Sequence, residues 1–115
     1  MDEISLGNGE KIILKAQGTL MSRSTWKLGH LFLTDRRLIF IQTAKTILEY
    51  RLDKIIGMSI MQRSWLMGIK VKQLCIEYNC GSRREYACIA LAKPGEWVAA
   101  IKEGMTLVLF HSRQA

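Results

Sequence analysis

The sequence predicts a mainly-β domain of seven antiparallel strands followed by one C-terminal helix. Short apolar, β-branched segments alternate with turn signals between about residues 10 and 91. Within those segments the apolar period is two, the repeat of side chains along a strand. After Lys93 the period changes, and Trp97, Ile101, Met105 and Val108 recur at spacings of three and four, as on one stripe of a helix.

The segment "EKIILKAQGTLM" supplies a first strand over roughly residues 11 to 20, and the polar "SRST" follows it as a loop. "HLFLT" and "RLIFIQ" flank a two-residue turn at Asp35-Arg36, which sets Thr34 against Arg37. That register places Leu33 opposite Leu38 and Leu31 opposite Phe40, so these four share a core face. Phe32, Ile39 and Ile41 then project from the other face, where either another part of this chain or another chain must cover them. The tail "TLVLF" and a second copy are the two candidates, with self-association favoured.

A break at Thr43 to Lys45 leads to "TILEYRL", with Leu48, Tyr50 and Leu52 on one face and Ile47, Glu49 and Arg51 on the other. A fifth strand lies near residues 56 to 62, and "RSWLMG" reads as a loop. "IKVKQLCIEY" and "REYACIALA" form a hairpin around residues 79 to 82, where Gly81 is free to take positive φ. Its register stays open. Either Glu77 faces Arg84, or Ile76 faces Tyr86 and Leu74 faces Cys88; the second gathers more apolar surface and is preferred. Pro94 and Glu96 suit the first turn of a helix over about residues 94 to 110. Gly104 weakens its middle, so the helix either continues or stops there and leaves residues 106 to 110 as an arm.

A chain of 115 residues, 49% apolar and 23% charged, fits a single domain over residues 1 to 115. Three cysteines cannot all pair and imply no disulfide framework, which suits a reducing cytoplasm. The acidic N-terminus lacks the pattern of a signal peptide, and the longest apolar run, Ala87 to Ala92, is too short to span a bilayer. Membrane contact would therefore be peripheral, at the inner surface. The net charge of +7 and pI near 9.6 attract anionic partners.

"GHLFLTDRRLIF" resembles the hairpin of GRAM and bacterial pleckstrin-homology-like (PH-like) domains, through Gly29, Leu31, Leu33, Thr34, Arg37, Leu38 and Phe40. "GEKIILKAQGTL", "YRLDKIIGM" and "PGEWVAAIKEGM" are similar to other parts of that family, so the resemblance spans roughly residues 9 to 105. It implies a PH-like seven-stranded antiparallel bent barrel, two near-orthogonal sheets capped at one end by the helix. Such domains bind lipids, proteins or each other, and the fold alone does not choose among them.

No catalytic constellation is present. His30 and His111 stand alone, and no phosphate-cradling loop, nucleophile elbow or dinucleotide fingerprint occurs. Cys75, Cys80 and Cys88 match no zinc spacing, so no metal or other cofactor is expected and Cys75 and Cys88 read as small strand residues. The chain is expected not to be an enzyme.

The family's topology gathers three loops at the barrel's open end, and here they carry Arg23, Lys27, Lys45, Arg83 and Arg84. These five cations form the candidate site for anionic headgroups, since Arg and Lys pair with phosphate oxygens. In "RSWLMGIK", Trp65 and Leu66 resemble a membrane-dipping tip, but at the opposite end; they are assigned instead to the helix cap or a neighbouring subunit, with Phe32, Ile39 and Ile41 as the other oligomer contacts. Nucleic acid ranks last, because only Trp26 beside Arg23 and Lys27 offers an aromatic among cations. The expected function is non-enzymatic binding to an anionic membrane lipid or a protein partner. The alternative is a homo-oligomeric scaffold with no lipid ligand.

Overall fold

The computed structural model describes residues 4–22, 25–64 and 68–114. The strands are β1 Ile12–Ser22, β2 Thr25–Thr34, β3 Arg37–Gln42, β4 Lys45–Arg51, β5 Ile55–Ser64, β6 Lys70–Cys80 and β7 Arg83–Ala90. A single 3₁₀ turn, Leu52–Lys54, joins β4 to β5, and helix α1 runs Pro94–Gln114. The strands form one sheet in the order β4-β3-β2-β1-β7-β6-β5. The two expected sheets are thus joined through β1, whose Thr19–Met21 pairs with both β2 and β7. β4 and β5 are its edges, so the barrel is open.

The β2–β3 hairpin has the expected register, with Leu33 opposite Leu38 and Leu31 opposite Phe40, and all four side chains are fully buried. Each such side chain removed from water contributes roughly 1.5 to 3 kcal/mol. They share the main core with Leu20, Tyr50, Leu52, Leu74, Ile76 and Ile89, and with Trp97 and Ile101 from α1.

The β6–β7 hairpin corrects both expected registers. Gly81, at φ 76°, and Ser82 make a two-residue turn, so Cys80 pairs with Arg83 and the ladder shifts one residue beyond the preferred expectation and two beyond the other. Leu74 now faces Ile89 and Ile76 faces Ala87, all four buried, which gathers more core surface than either alternative. The same register opposes Cys75 and Cys88, with Cα atoms 4.2 Å apart, and they are joined as a disulfide. Their reading as separate strand residues is corrected for the same reason: sequence spacing conceals a cross-strand pair until the turn is fixed. Cys80 is free and exposed.

Residues 106 to 110 form no arm; α1 continues through Gly104. Gly104 is buried, and a Cβ there would stand 2.9 Å from Leu52 Cδ1. The glycine lets the helix approach the 3₁₀ turn closely.

Candidate functional site

The second face of the β2–β3 hairpin is closed by its own chain. Phe32, Ile39 and Ile41 are 2%, 1% and 3% exposed and form a small second core with Ile4 packed on it, while the Lys15 ammonium lies 5.4 Å from the Phe32 ring centre. Their assignment to an oligomer contact is corrected: the N-terminal segment covers them, neither the tail nor a second copy.

A polar clasp holds that segment. Arg37 donates from Nε to Glu10 Oε2 at 2.8 Å and from Nη2 to Glu10 Oε1 at 2.9 Å. Thr34 Oγ1 donates to Glu10 Oε2 at 2.6 Å, and the Gly7 amide donates to Oε1 at 2.8 Å. Arg37 Nη2 also reaches the Ser5 carbonyl at 2.6 Å. The Thr34 hydroxyl accepts the amides of Arg36 and Arg37, which shapes the turn. The hydrogen bonds from Arg37, helped by Thr34 and the Gly7 amide, hold the Glu10 carboxyl down at about 2 despite its burial. Sequence reasoning placed Thr34 and Arg37 in a motif without seeing this role. The signal was present, since Glu10 is the one acid of "GEKIILKAQGTL" and Arg37 flanks the predicted turn.

Of the five candidate cations, the four that are described do not gather at one end of the sheet. Arg23, Trp65 and Leu66 lie outside the described residues. Lys27 is half-buried on β2, opposite Leu20 and, by alternation, on the side of Gly29 and Leu31. Trp26 and Leu28 point the other way and are 46% and 73% exposed. A groove of about 510 Å³ opens beside them, lined by Gln17, Thr19, Leu28, His30 and Thr43 among others. Lys45 follows Thr43 by two residues, after a tight turn in which Thr43 and Ala44 both take positive φ.

The ladders point the β1–β2 and β6–β7 tips the same way, since Cys88 pairs with both Met21 and Cys75. The bend of the sheet then carries the β6–β7 tip to the C-terminal end of β4. There Tyr78 stacks on Tyr50, with ring centres 4.0 Å apart, and its hydroxyl accepts the Arg51 amide at 3.4 Å. Burial and the nearby Glu85 push the Tyr50 phenol up to about 12. Lys45 opens β4 five residues before Tyr50, about 17 Å away along the strand. Arg84 is tied to Glu77 Oε1 at 3.3 Å, an oxygen that also accepts the Tyr86 hydroxyl at 2.9 Å. Lys27 and Lys45 thus belong to the end of the sheet where the β1–β2 and β3–β4 hairpins turn, though neither lines the groove, while Arg83 and Arg84 stand at the end of β4 away from Lys45.

Among the described residues no three His, Cys, Asp or Glu side chains gather as metal ligands would, and no helix is long and apolar enough to cross a membrane.

No family model matches the chain, and no curated protein matches it significantly. Its fold is similar to solved structures. The Vps36 N-terminal PH domain superposes with a TM-score of 0.66 at 22% identity, over 92% of this chain and 86% of that one. The C-terminal domain of an unknown protein from Leishmania infantum gives 0.67 at 15% identity, over 85% and 86%. The DH/PH domains of p115-RhoGEF give 0.60 at 15% identity over 84% of this chain, which spans 31% of that larger one. At these identities the likeness establishes the fold, which is PH-like.

Proposed function

We propose that this PH-like chain is a non-enzymatic binding module that docks peripherally on anionic membrane surfaces through the β1–β2 and β3–β4 end. One observation supports the reading most. In sequence Lys27 lies between Trp26 and Leu28, both exposed, and Leu28 lines an open groove that reaches Thr43, two residues before Lys45. An aromatic and an aliphatic anchor beside cations suit the interface between headgroups and acyl chains. Arg23 extends the same hairpin's charge, and Arg83 and Arg84 would join the contact only if the membrane also reached the end of β4.

Co-sedimentation with vesicles of phosphatidylcholine, with and without 30% phosphatidylserine, tests the reading. Binding should need the anionic lipid and weaken with salt. Lys27→Gln with Lys45→Gln should weaken it by about 1 kcal/mol per charge, roughly thirtyfold for the pair. Lys11→Gln with Lys102→Gln, exposed elsewhere, should change it less than threefold. Equal binding to neutral vesicles, or equal losses from the two pairs, would defeat the proposal. Arg83→Gln with Arg84→Gln then reports whether the contact extends to the fuller five-cation end.

Self-association is the second reading, and its support has moved. It rests on the exposed Leu107, Leu109 and Phe110 of α1 and Ile12 and Ile13 of β1. Light scattering at micromolar concentration decides it, and a clean monomer removes it.

A further inference from the structure

We infer that the free edge of β5 accepts an extended acidic segment of a protein partner as an eighth strand. An open sheet has two edges, and rows of unpaired backbone N–H and C=O groups recruit another strand unless they are guarded. The two edges here differ. β4 spaces Lys45, Glu49 and Arg51 along seven residues, which guards it with charge. β5 is ten residues long and, from Ile55 to Gln62, holds neither a charge nor a proline. Ile56, Ile60 and Met61 on it are exposed. The β5 ladder shifts register once, between Ile55 and Gly57, and is regular from Gly57 to Ser64, and a long, uncharged, apolar edge of this kind is the template for strand addition.

The surrounding charge selects the occupant. No acid occurs between Asp53 and Glu77, whereas Lys54, Arg63, Lys70 and Lys72 do. β6 pairs with β7 only from Gln73 onward, so its first residues and the end of β5 form a two-stranded ribbon. Arg63, Lys70 and Lys72 are exposed on it, opposite Val71, Ser64 and Gln62. A second copy would set this cationic ribbon against another, which like-charge repulsion opposes. A membrane is a poor fit, because the ribbon does not sort apolar from basic: Ile60, Lys70 and Lys72 share one face, and Met61 and Arg63 the other. An acidic strand meets both features at once, main-chain pairing along Ile55 to Gln62 and cations at the ribbon. This inference goes beyond the vesicle-binding reading, since the ribbon points away from the β1–β2 tip.

A fluorescent ten-residue peptide of alternating valine and glutamate is the probe, titrated into the intact chain and followed by anisotropy and amide hydrogen exchange. Saturable one-to-one binding is expected, with exchange slowed at least tenfold at amides between Ile56 and Gln62. The same peptide N-methylated at alternate residues keeps its charge but loses ladder donors, and it should bind at least tenfold more weakly. Arg63→Glu with Lys72→Glu should also weaken binding at least tenfold, with far-UV circular dichroism unchanged. The inference is overturned if the two peptides bind equally, if binding leaves β5 exchange unaltered, or if no binding appears at millimolar peptide. It is also overturned if phosphatidylserine vesicles, rather than the peptide, protect the β5 amides. None of these outcomes depends on whether Lys27 and Lys45 bind vesicles.

Discussion

Arg37 Nε lies 2.8 Å from Glu10 Oε2, across 27 residues of chain, and the Glu10 side chain is almost wholly buried. That contact ties an irregular N-terminal segment to the first hairpin of the sheet. Removing one partner of a buried, hydrogen-bonded pair leaves an uncompensated charge and typically costs about 3 to 5 kcal/mol. Glu10→Gln should therefore destabilise the fold by about 3 kcal/mol at pH 7, measured by denaturant unfolding. The amide retains one acceptor, which keeps the loss at the lower end of that range.

Acid should weaken the same clasp. The Glu10 carboxyl falls from its ordinary 4.5 to about 2 on folding, so the unfolded chain binds the proton more readily. Its contribution is complete above about pH 5, shrinks as pH falls through that window, and is gone below about pH 2. The integrated amount is about 3 kcal/mol at most. Glu10→Gln should flatten this part of the stability profile, and a variant as acid-sensitive as the parent would refute the assignment.

Two glycines should respond differently to alanine. A Cβ at Gly29 would collide with the Ile41 carbonyl oxygen and the Phe40 ring, and the ladder holds that backbone in place. Gly29→Ala should cost about 3 kcal/mol or more. At Gly104 the obstacle is the end of the Leu52 side chain at 2.9 Å, and alanine recovers about 1 kcal/mol of helix propensity. Gly104→Ala should stay within about 1 kcal/mol of the parent in the same measurement.

Thiol counting tests the cross-strand disulfide. Without reductant, denatured protein should label one cysteine, Cys80, and with reductant all three. Cys75→Ala with Cys88→Ala should lower stability by about 2 to 3 kcal/mol relative to the oxidised parent, through a loop of 13 residues. The gap should narrow when both are reduced. Three reactive thiols in the unreduced protein would exclude the bond.

Deleting residues 1 to 9 should uncover Phe32, Ile39 and Ile41. The shortened chain should bind a hydrophobic dye and self-associate, whereas the parent should do neither through this face. Dye binding equal to the parent's would show that the segment is not the cover.

Legibility in the sequence followed the range of the interactions. Leu31, Leu33, Leu38 and Phe40 announced the core because alternation and a two-residue turn are local properties. The second face was visible as a question, but its answer, Ile4, is one apolar residue in a stretch without periodicity. The β6–β7 register escaped because apolar counting favoured Leu74 against Cys88, while the backbone freedom of Gly81 set the turn one residue later. The cystine followed from that register and was lost with it. The cations were found individually, yet their grouping depends on the bend that seats Tyr78 on Tyr50, which no local pattern encodes.

The β1–β7 ladder is what joins the two halves of the sheet, and its pairs link residues about 70 positions apart. The hairpins of β2 to β4 can close early from neighbouring residues. The union of the halves must wait until β7 has emerged, and the entropy of that large loop is spent before its contacts repay it. During synthesis the last third of the chain therefore decides when the molecule becomes whole. Until then the inner faces of Leu31, Leu33 and Phe40 have no opposing layer, and the nascent chain is most exposed to aggregation in that interval.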